Sequence, residues 1–198
     1  MNLHMRKTGK FHFCLLLAAG IISGIFVLPA FNNGHHAAAQ SAASGESPTE
    51  NLGPSGLPIP RFVSLKPTRV NTRVGPSRDY AVSWLYTKSG LPVEIIQEYD
   101  NWRRIRDADG TEGWVYQSLL AGKRTAIVAP WERGKTEALI DLFASANETA
   151  RVVARLEPGV ISAIRECSGQ WCQLDVSGTR GWIRQRQIWG AYPGEVFD

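Results

Sequence analysis

From Arg61 onward the chain runs in short stretches of β-branched and aromatic residues separated by Gly, Pro, Asn and Asp. Turn signals recur about every eight to twelve residues, the spacing of an all-β chain. No long amphipathic helix is predicted. Residues 136–146, TEALIDLFASA, have helical propensity, but the internal alignment below makes them an opening strand and loop. In the stretch 102–106, Trp102, Arg104 and Arg106 alternate with Arg103 and Ile105, so one strand carries two chemically different faces. A small β domain buries one of them. Parity alone leaves each Trp open to either duty, buried anchor or surface.

The pattern occurs twice. Leu91 to Val115 reads LPVEIIQEYDNWRRIRDADGTEGWV, and Val160 to Ile183 reads VISAIRECSGQWCQLDVSGTRGWI. Trp102 matches Trp171, Gly113-Trp114 matches Gly181-Trp182, Ile95 matches Ile164 and Gly90 matches Gly159. The single residue lost falls in the turn at Asp109-Gly110 against Ser177-Gly178. Each copy thus reads as apolar strand, tight turn, strand opening on Trp, Gly-containing turn and Gly-Trp strand. Two copies of one unit of about 60 residues are predicted, each needing a compact core to fold.

Residues 66–120, with Val70-Asn71-Thr72-Arg73, Gly75-Pro76-Ser77, Trp102, Gly113-Trp114-Val115 and Ser118-Leu119-Leu120, resemble the bacterial SH3 domain family. Residues 138–190 resemble a diverged member. They keep the Trp and Gly-Trp signatures but carry Asp141-Leu142-Phe143-Ala144 and Ser145-Ala146-Asn147 where the first copy has Asn-x-Arg and Gly-Pro-Ser. The resemblance implies an all-β fold of two tandem small SH3-like β-barrels, each a strongly bent sheet. It further implies binding of peptidoglycan peptides or of proteins, or service as a spacer, since such barrels host many roles.

The N-terminus changes the composition. Arg6, Lys7 and Lys10 precede an apolar run from Phe11 to Phe31, and Ala37, Ala38 and Ala39 follow, the layout of a secretory signal peptide cut before Gln40. Ala43 offers a second cut. The run is also near the roughly 20 residues that span a bilayer, so an uncleaved anchor is the alternative, and the only route by which a membrane enters. Cys14 follows Phe11-His12-Phe13, without the small residues that precede a lipid-modified cysteine. The expected organisation is therefore signal segment 1–39, flexible linker 40–60, first domain 61–122 and second domain 123–198. The linker is rich in Ala, Ser, Gly and Pro and offers little to bury. Its alternative is an arm docked through Pro58-Ile59-Pro60.

Removal of residues 1–39 takes three of the 22 basic residues and none of the 18 acidic ones, leaving 19 against 18. A nearly neutral mature chain speaks against nucleic-acid binding. Residues 61–124 nevertheless hold 11 basic against 7 acidic residues, so the first domain is the better candidate for an anionic surface. His4, His12, His35 and His36 all precede the cut. That removes histidine-based nucleophilic catalysis and histidine-ligated metal from the mature chain. No enzyme activity, cofactor or metal is expected.

Cys167 and Cys172 flank Ser168-Gly169-Gln170-Trp171, which fits a two-residue hairpin turn with Gly at its first central position. The cysteines then pair across the strands, at a Cα separation of about 4.5 Å if the pair is non-hydrogen-bonded. Export favours a structural disulfide over a catalytic dithiol, which uses two intervening residues rather than four. The aligned positions in the first copy, Glu98 and Arg103, form an opposite-charge pair. For ligand contact the candidates are Asn71, Arg73, Tyr80, Tyr99, Trp102, Arg104, Trp114 and Tyr116, flat aromatic area beside positive charge. Asn71 and Arg73 have an alternative duty in organising the Gly75-Pro76-Ser77 turn. The expected function is an exported, non-catalytic binding or adaptor protein, periplasmic or secreted, that recognises peptidoglycan or an envelope protein through its first domain. The alternative is an inter-domain scaffold or spacer of the envelope, its aromatics serving only as core.

Overall fold

A computed structural model describes residues 51–135 and 138–198. The apolar N-terminal run, the proposed cut and the first half of the linker lie outside the described residues. Among those described no helix is long and apolar enough to cross a membrane, and both repeats fall within one compact unit.

In the first repeat β1 (Arg61–Leu65), β2 (Val70–Arg73), β3 (Val82–Tyr86), β4 (Pro92–Tyr99), β5 (Trp102–Arg106), β6 (Glu112–Tyr116) and β7 (Leu120–Ala121) form one sheet. Its order is β3-β2-β6-β5-β4-β1-β7. The second repeat supplies β8 (Thr125–Val128), β9 (Ile140–Phe143), β10 (Val152–Leu156), β11 (Ile161–Ser168), β12 (Trp171–Val176), β13 (Thr179–Arg184) and β14 (Ile188–Trp189). They follow the order β10-β9-β13-β12-β11-β8-β14, the first order with seven added to every strand number. Irregularities repeat as well. Bulges leave Ile96 and Arg165 unmatched in β4 and β11, and Ser83 and Val153 unmatched in β3 and β10. The fold class read from the pattern is thus the fold of the chain. Ile140–Phe143 is a strand, as the internal alignment requires against the helical propensity of its surroundings. A last strand, β15 (Val196–Phe197), adds itself to β11.

The Gly-Trp signature has a steric origin. A Cβ at Gly113 would lie 2.7 Å from the Cβ of Thr72, and one at Gly181 would lie 2.6 Å from Leu142 Cγ. Only a glycine lets the Gly-Trp strand pass so close to β2 or β9.

Each sheet wraps its own core. Val63, Leu65, Val70, Tyr86, Val93, Ile95, Ile105, Val115 and Leu120 fill the first. Ala126, Val128, Leu142, Leu156, Ile164, Leu174, Ile183 and Ile188 fill the second, joined by Cys167 and Cys172. In β5 the inward face is that of Arg103 and Ile105, while Trp102, Arg104 and Arg106 face outward.

The two domains pack on each other through Phe62, whose ring centroid lies 4.9 Å from that of Trp189 and 4.7 Å from that of Tyr192. Tyr192 Oη donates to Glu94 at 2.8 Å, and Arg106 holds the other oxygen of that carboxylate at 2.6 Å. Arg133 of the second domain pairs with Asp109 of the first at 2.7 Å.

Residues 51–60 lie in the stretch read as flexible linker, and here they form a closed loop on the first domain. Leu52 bridges Pro58, and Ile59 N donates to Asn51 O at 2.7 Å. The backbone N–H and the hydroxyl of Ser55 both donate to Glu98 at 2.8 Å. The physical reason is Glu98 itself: a buried carboxylate needs donors, and this short loop brings two.

Candidate functional site

The hairpin of β2 and β3 positions the site. Arg73 Nη1 donates to the Tyr80 carbonyl at 2.5 Å, and Val74 N donates to Ala81 O at 3.1 Å, closing the loop that holds Gly75-Pro76-Ser77. The Tyr80 ring lies over Gly75, where a Cβ would sit 2.6 Å from it. Arg73 therefore has a structural duty in that turn, and its remaining donors face outward.

Beside the hairpin opens a groove of about 430 Å³, lined by Arg69, Asn71, Arg73, Arg78, Trp102, Tyr116, Ser118 and Leu119. Strand β5 brings Trp102 and β6 brings Tyr116, whose rings meet edge to face at 5.6 Å. The 3-10 turn Gln117–Leu119 closes the far wall. Among the described residues no carboxylate pairs with Arg69, Arg73 or Arg78.

Of the eight ligand candidates, four meet in this groove: Asn71, Arg73, Trp102 and Tyr116. Arg104 and Trp114 line an adjacent hollow with Arg73, where Arg104 is paired to Glu112 at 2.7 Å. Tyr80 and Tyr99, 48% and 61% exposed, line neither. Tyr99 instead stands across the β4–β5 hairpin from Trp102. Arg69, Arg78, Ser118 and Leu119 were not among the candidates. The positive excess of residues 61–124 was the one signal for the two arginines; their convergence depends on how the hairpin folds back over β5 and β6.

The second domain fills the same place. Register pairs Phe143 with Trp182 as Arg73 pairs with Trp114, and Trp171 with Arg184 as Trp102 pairs with Tyr116. Phe143 meets Trp171 edge to face at 5.8 Å, and the Arg184 guanidinium covers the Trp171 ring at 4.2 Å. Arg184 is itself paired with Glu148, which stands at the position of Arg78. Leu139 replaces Arg69. Trp171 is buried in consequence, where Trp102 is half-buried.

Behind the groove, the β4–β5 hairpin is pinned by charge. Arg103 and Arg61 reach one oxygen of Glu98 at 3.0 and 2.7 Å. Burial pushes the Glu98 carboxyl up, but the Arg61 hydrogen bond, the two Ser55 donors and the Arg103 charge outweigh it and hold it below the usual carboxylate range. Arg103 thus belongs to the interior and not to the groove. At the matching positions Cys167 and Cys172 form a disulfide with a Cα separation of 4.1 Å. Gly169 takes the left-handed conformation, φ 84°, that the two-residue turn asks for.

Two larger hollows hold none of the eight candidates. One of about 740 Å³ lies between Ser55, Phe62, Arg124 and Tyr192, its arginines already spent on Glu98 and Glu195. The other, of about 670 Å³, lies between Trp131, Trp189 and Pro193.

A family model described as bacterial SH3 domain matches residues 66–122 and 137–190. The chain belongs to the bacterial SH3 domain family. Comparison with curated proteins gives no match. Among solved structures, NlpC2 of Trichomonas vaginalis matches at 9% identity and TM-score 0.29, over 66% of this chain and 48% of that one. NlpC1 of the same organism matches at 10% identity and TM-score 0.29, over 69% and 48%. An NlpC/P60 family protein of Bacillus cereus matches at 7% identity and TM-score 0.28, over 65% and 55%. This chain spans about half the length of each, and likenesses so remote carry no argument about activity. Membership in the bacterial SH3 family accounts for the duplicated fold, and the geometry leaves the groove open in one copy and filled in the other.

Proposed function

We propose that this tandem bacterial SH3 protein is an exported, non-catalytic binding or adaptor protein of the cell envelope, which recognises peptidoglycan peptide or an envelope protein through its first domain. The observation that carries the reading is the groove between the β2–β3 hairpin and the Trp102–Tyr116 pair, open in the first domain and filled by Phe143 and Arg184 in the second. Flat aromatic area beside planar donors suits a peptide. The disulfide fits an oxidising compartment outside the cytoplasm, and the segment of residues 1–39 supplies the route there.

The protein purified from the envelope fraction is expected to sediment with isolated peptidoglycan sacculi, or else to capture a partner from envelope extract freed of them. Mass spectrometry of that protein is expected to find Gln40 at its N-terminus. Tyr80 is exposed but lines no part of the groove, so Tyr80→Ala is expected to change binding far less than Trp102→Ala does. Retention of sacculi and of every envelope partner after Trp102→Ala and Arg78→Glu together would overturn the assignment to the first domain.

A spacer role is the second reading, favoured by the packing of Phe62 on Trp189 and Tyr192 and by the Tyr192–Glu94 hydrogen bond. Those contacts hold the two domains as a pair without a ligand. In that case the groove variants leave envelope retention unchanged and Phe62→Ala abolishes the fixed spacing seen by small-angle scattering.

A further inference from the structure

We infer that the first domain's groove grips its ligand by free carboxylate groups, and that the ligand is the carboxylate-bearing peptide of the wall; this rests on the binding reading above and narrows it. The described residues include 15 arginines, and 10 of them are ion-paired. Of the five others, Arg69, Arg73, Arg78, Arg151 and Arg186, three line this one groove, whose lining contains no carboxylate. Three like charges converging without a counter-charge repel one another, and of the three only Arg73 makes a bond that serves the fold, to the Tyr80 carbonyl. The second domain, which has the same strand order and bulges, carries Leu139, Phe143 and Glu148 at those positions, so the fold does not require the cluster.

Guanidinium groups present parallel N–H donors that match a planar carboxylate. Trp102, Tyr116 and Leu119 supply the apolar floor on which short aliphatic side chains between two carboxylates would rest. Phosphate would satisfy the same donors. Carboxylates are favoured by the spread of the three arginines around an apolar floor, which suits charges distributed along a peptide.

The test uses the protein purified from the envelope fraction and isolated sacculi, before and after their carboxyl groups are converted to methylamides. Phosphodiesters survive that treatment. The expected result is a loss of affinity of about tenfold or more on amidation, and a similar loss with Arg69→Gln or with Arg78→Glu on untreated sacculi. Neither side chain pairs with a carboxylate among the described residues, so melting temperature stays unchanged. Arg73 is left intact because it also holds the Tyr80 carbonyl. Arg151→Glu, an equal change in net charge outside the groove, is expected to bind as well as the parent. Equal binding to native and amidated sacculi overturns the carboxylate inference and leaves wall binding standing. A loss with Arg151→Glu as large as with Arg78→Glu overturns the assignment to the groove. No binding to native sacculi overturns the inference together with the wall-peptide reading.

Discussion

Where the first domain sets Glu98 against Arg103 at 3.0 Å, the second joins Cys167 to Cys172 across the same two-strand hairpin. The exchange is not isolated. In the first domain Tyr86 Oη donates to buried Asp107 at 2.9 Å; the register puts Leu156 and Val176 there in the second. Thr72 and Ser83, with hydroxyls 3.3 Å apart, give way to Leu142 and Val153. One strand order is therefore held by three polar pairs in one copy and by apolar contacts plus a covalent link in the other. A hairpin position can be secured by either chemistry, but the polar solution works only if both partners stay wherever both are buried, as in Glu98–Arg103 and Tyr86–Asp107, because each alone is then an uncompensated buried group. The copy with the polar interior is also the copy with the open groove.

The most severe way to break this comparison is to strip one partner from the charged pin. Glu98→Gln leaves Arg103 and Arg61 without their carboxylate, at a cost of about 3–5 kcal/mol. Amide hydrogen exchange is expected to place the loss in residues 51–121 and to spare hairpin 167–172. A loss below about 1 kcal/mol would mean that solvent already compensates the pair. The same pin makes the first domain acid-sensitive. A carboxyl held below its ordinary value in the fold contributes fully above the unfolded value, and the contribution fades as pH falls through the folded one. Protection of hairpin 98–103 is thus expected to weaken on acidification through and below the ordinary carboxylate range, while hairpin 167–172 is held by its covalent link.

Next in size is the covalent pin. Replacing Cys167 and Cys172 together by Ala is expected to lower the stability of the second domain by about 2 kcal/mol. The first domain should keep its exchange protection. Denaturant titration with and without reductant checks it, reductant alone reproducing the shift in the parent and producing none in the double variant. Quantitative thiol labelling of both cysteines in the native parent would remove the covalent half of the comparison.

Much of this was legible in the residues themselves. The repeat, the strand at Ile140–Phe143, the cysteine pairing and its ionic counterpart follow from the Trp and Gly-Trp spacing, because local period and turn chemistry dictate which residues face each other. The groove was half legible. Of the ligand candidates chosen by type, Asn71, Arg73, Trp102 and Tyr116 line the groove while Tyr80 and Tyr99 lie outside it, and only the folded hairpin separates them. Arg69 and Arg78 lie in loops, where no periodicity marks direction. The docking of residues 51–60 was legible only as the alternative that Pro58-Ile59-Pro60 offered, since its cause is the buried Glu98, 43 residues beyond Ser55.

The smallest effect, and the sharpest on mechanism, concerns Thr72. Its hydroxyl lies 3.3 Å from both the Trp84 carbonyl and Ser83 Oγ, on a residue only 1% exposed. Thr72→Val keeps the shape and removes the donor. Ser83 is exposed and regains water, so the loss should be about 1 kcal/mol, the net worth of one neutral hydrogen bond. The second domain carries Leu142 and Val153 at these two positions, and adding Ser83→Val is therefore expected to cost less in the Thr72→Val background than in the parent. The difference, about 0.5 kcal/mol or more in a double-mutant cycle, measures the coupling of the pair. Equal costs in both backgrounds would show that Thr72 works through the Trp84 carbonyl alone. A single-variant loss above about 2 kcal/mol would instead join Thr72 to the Glu98 and Tyr86 pairs in one cooperative polar core, and the three exchanges between the domains would then count as one.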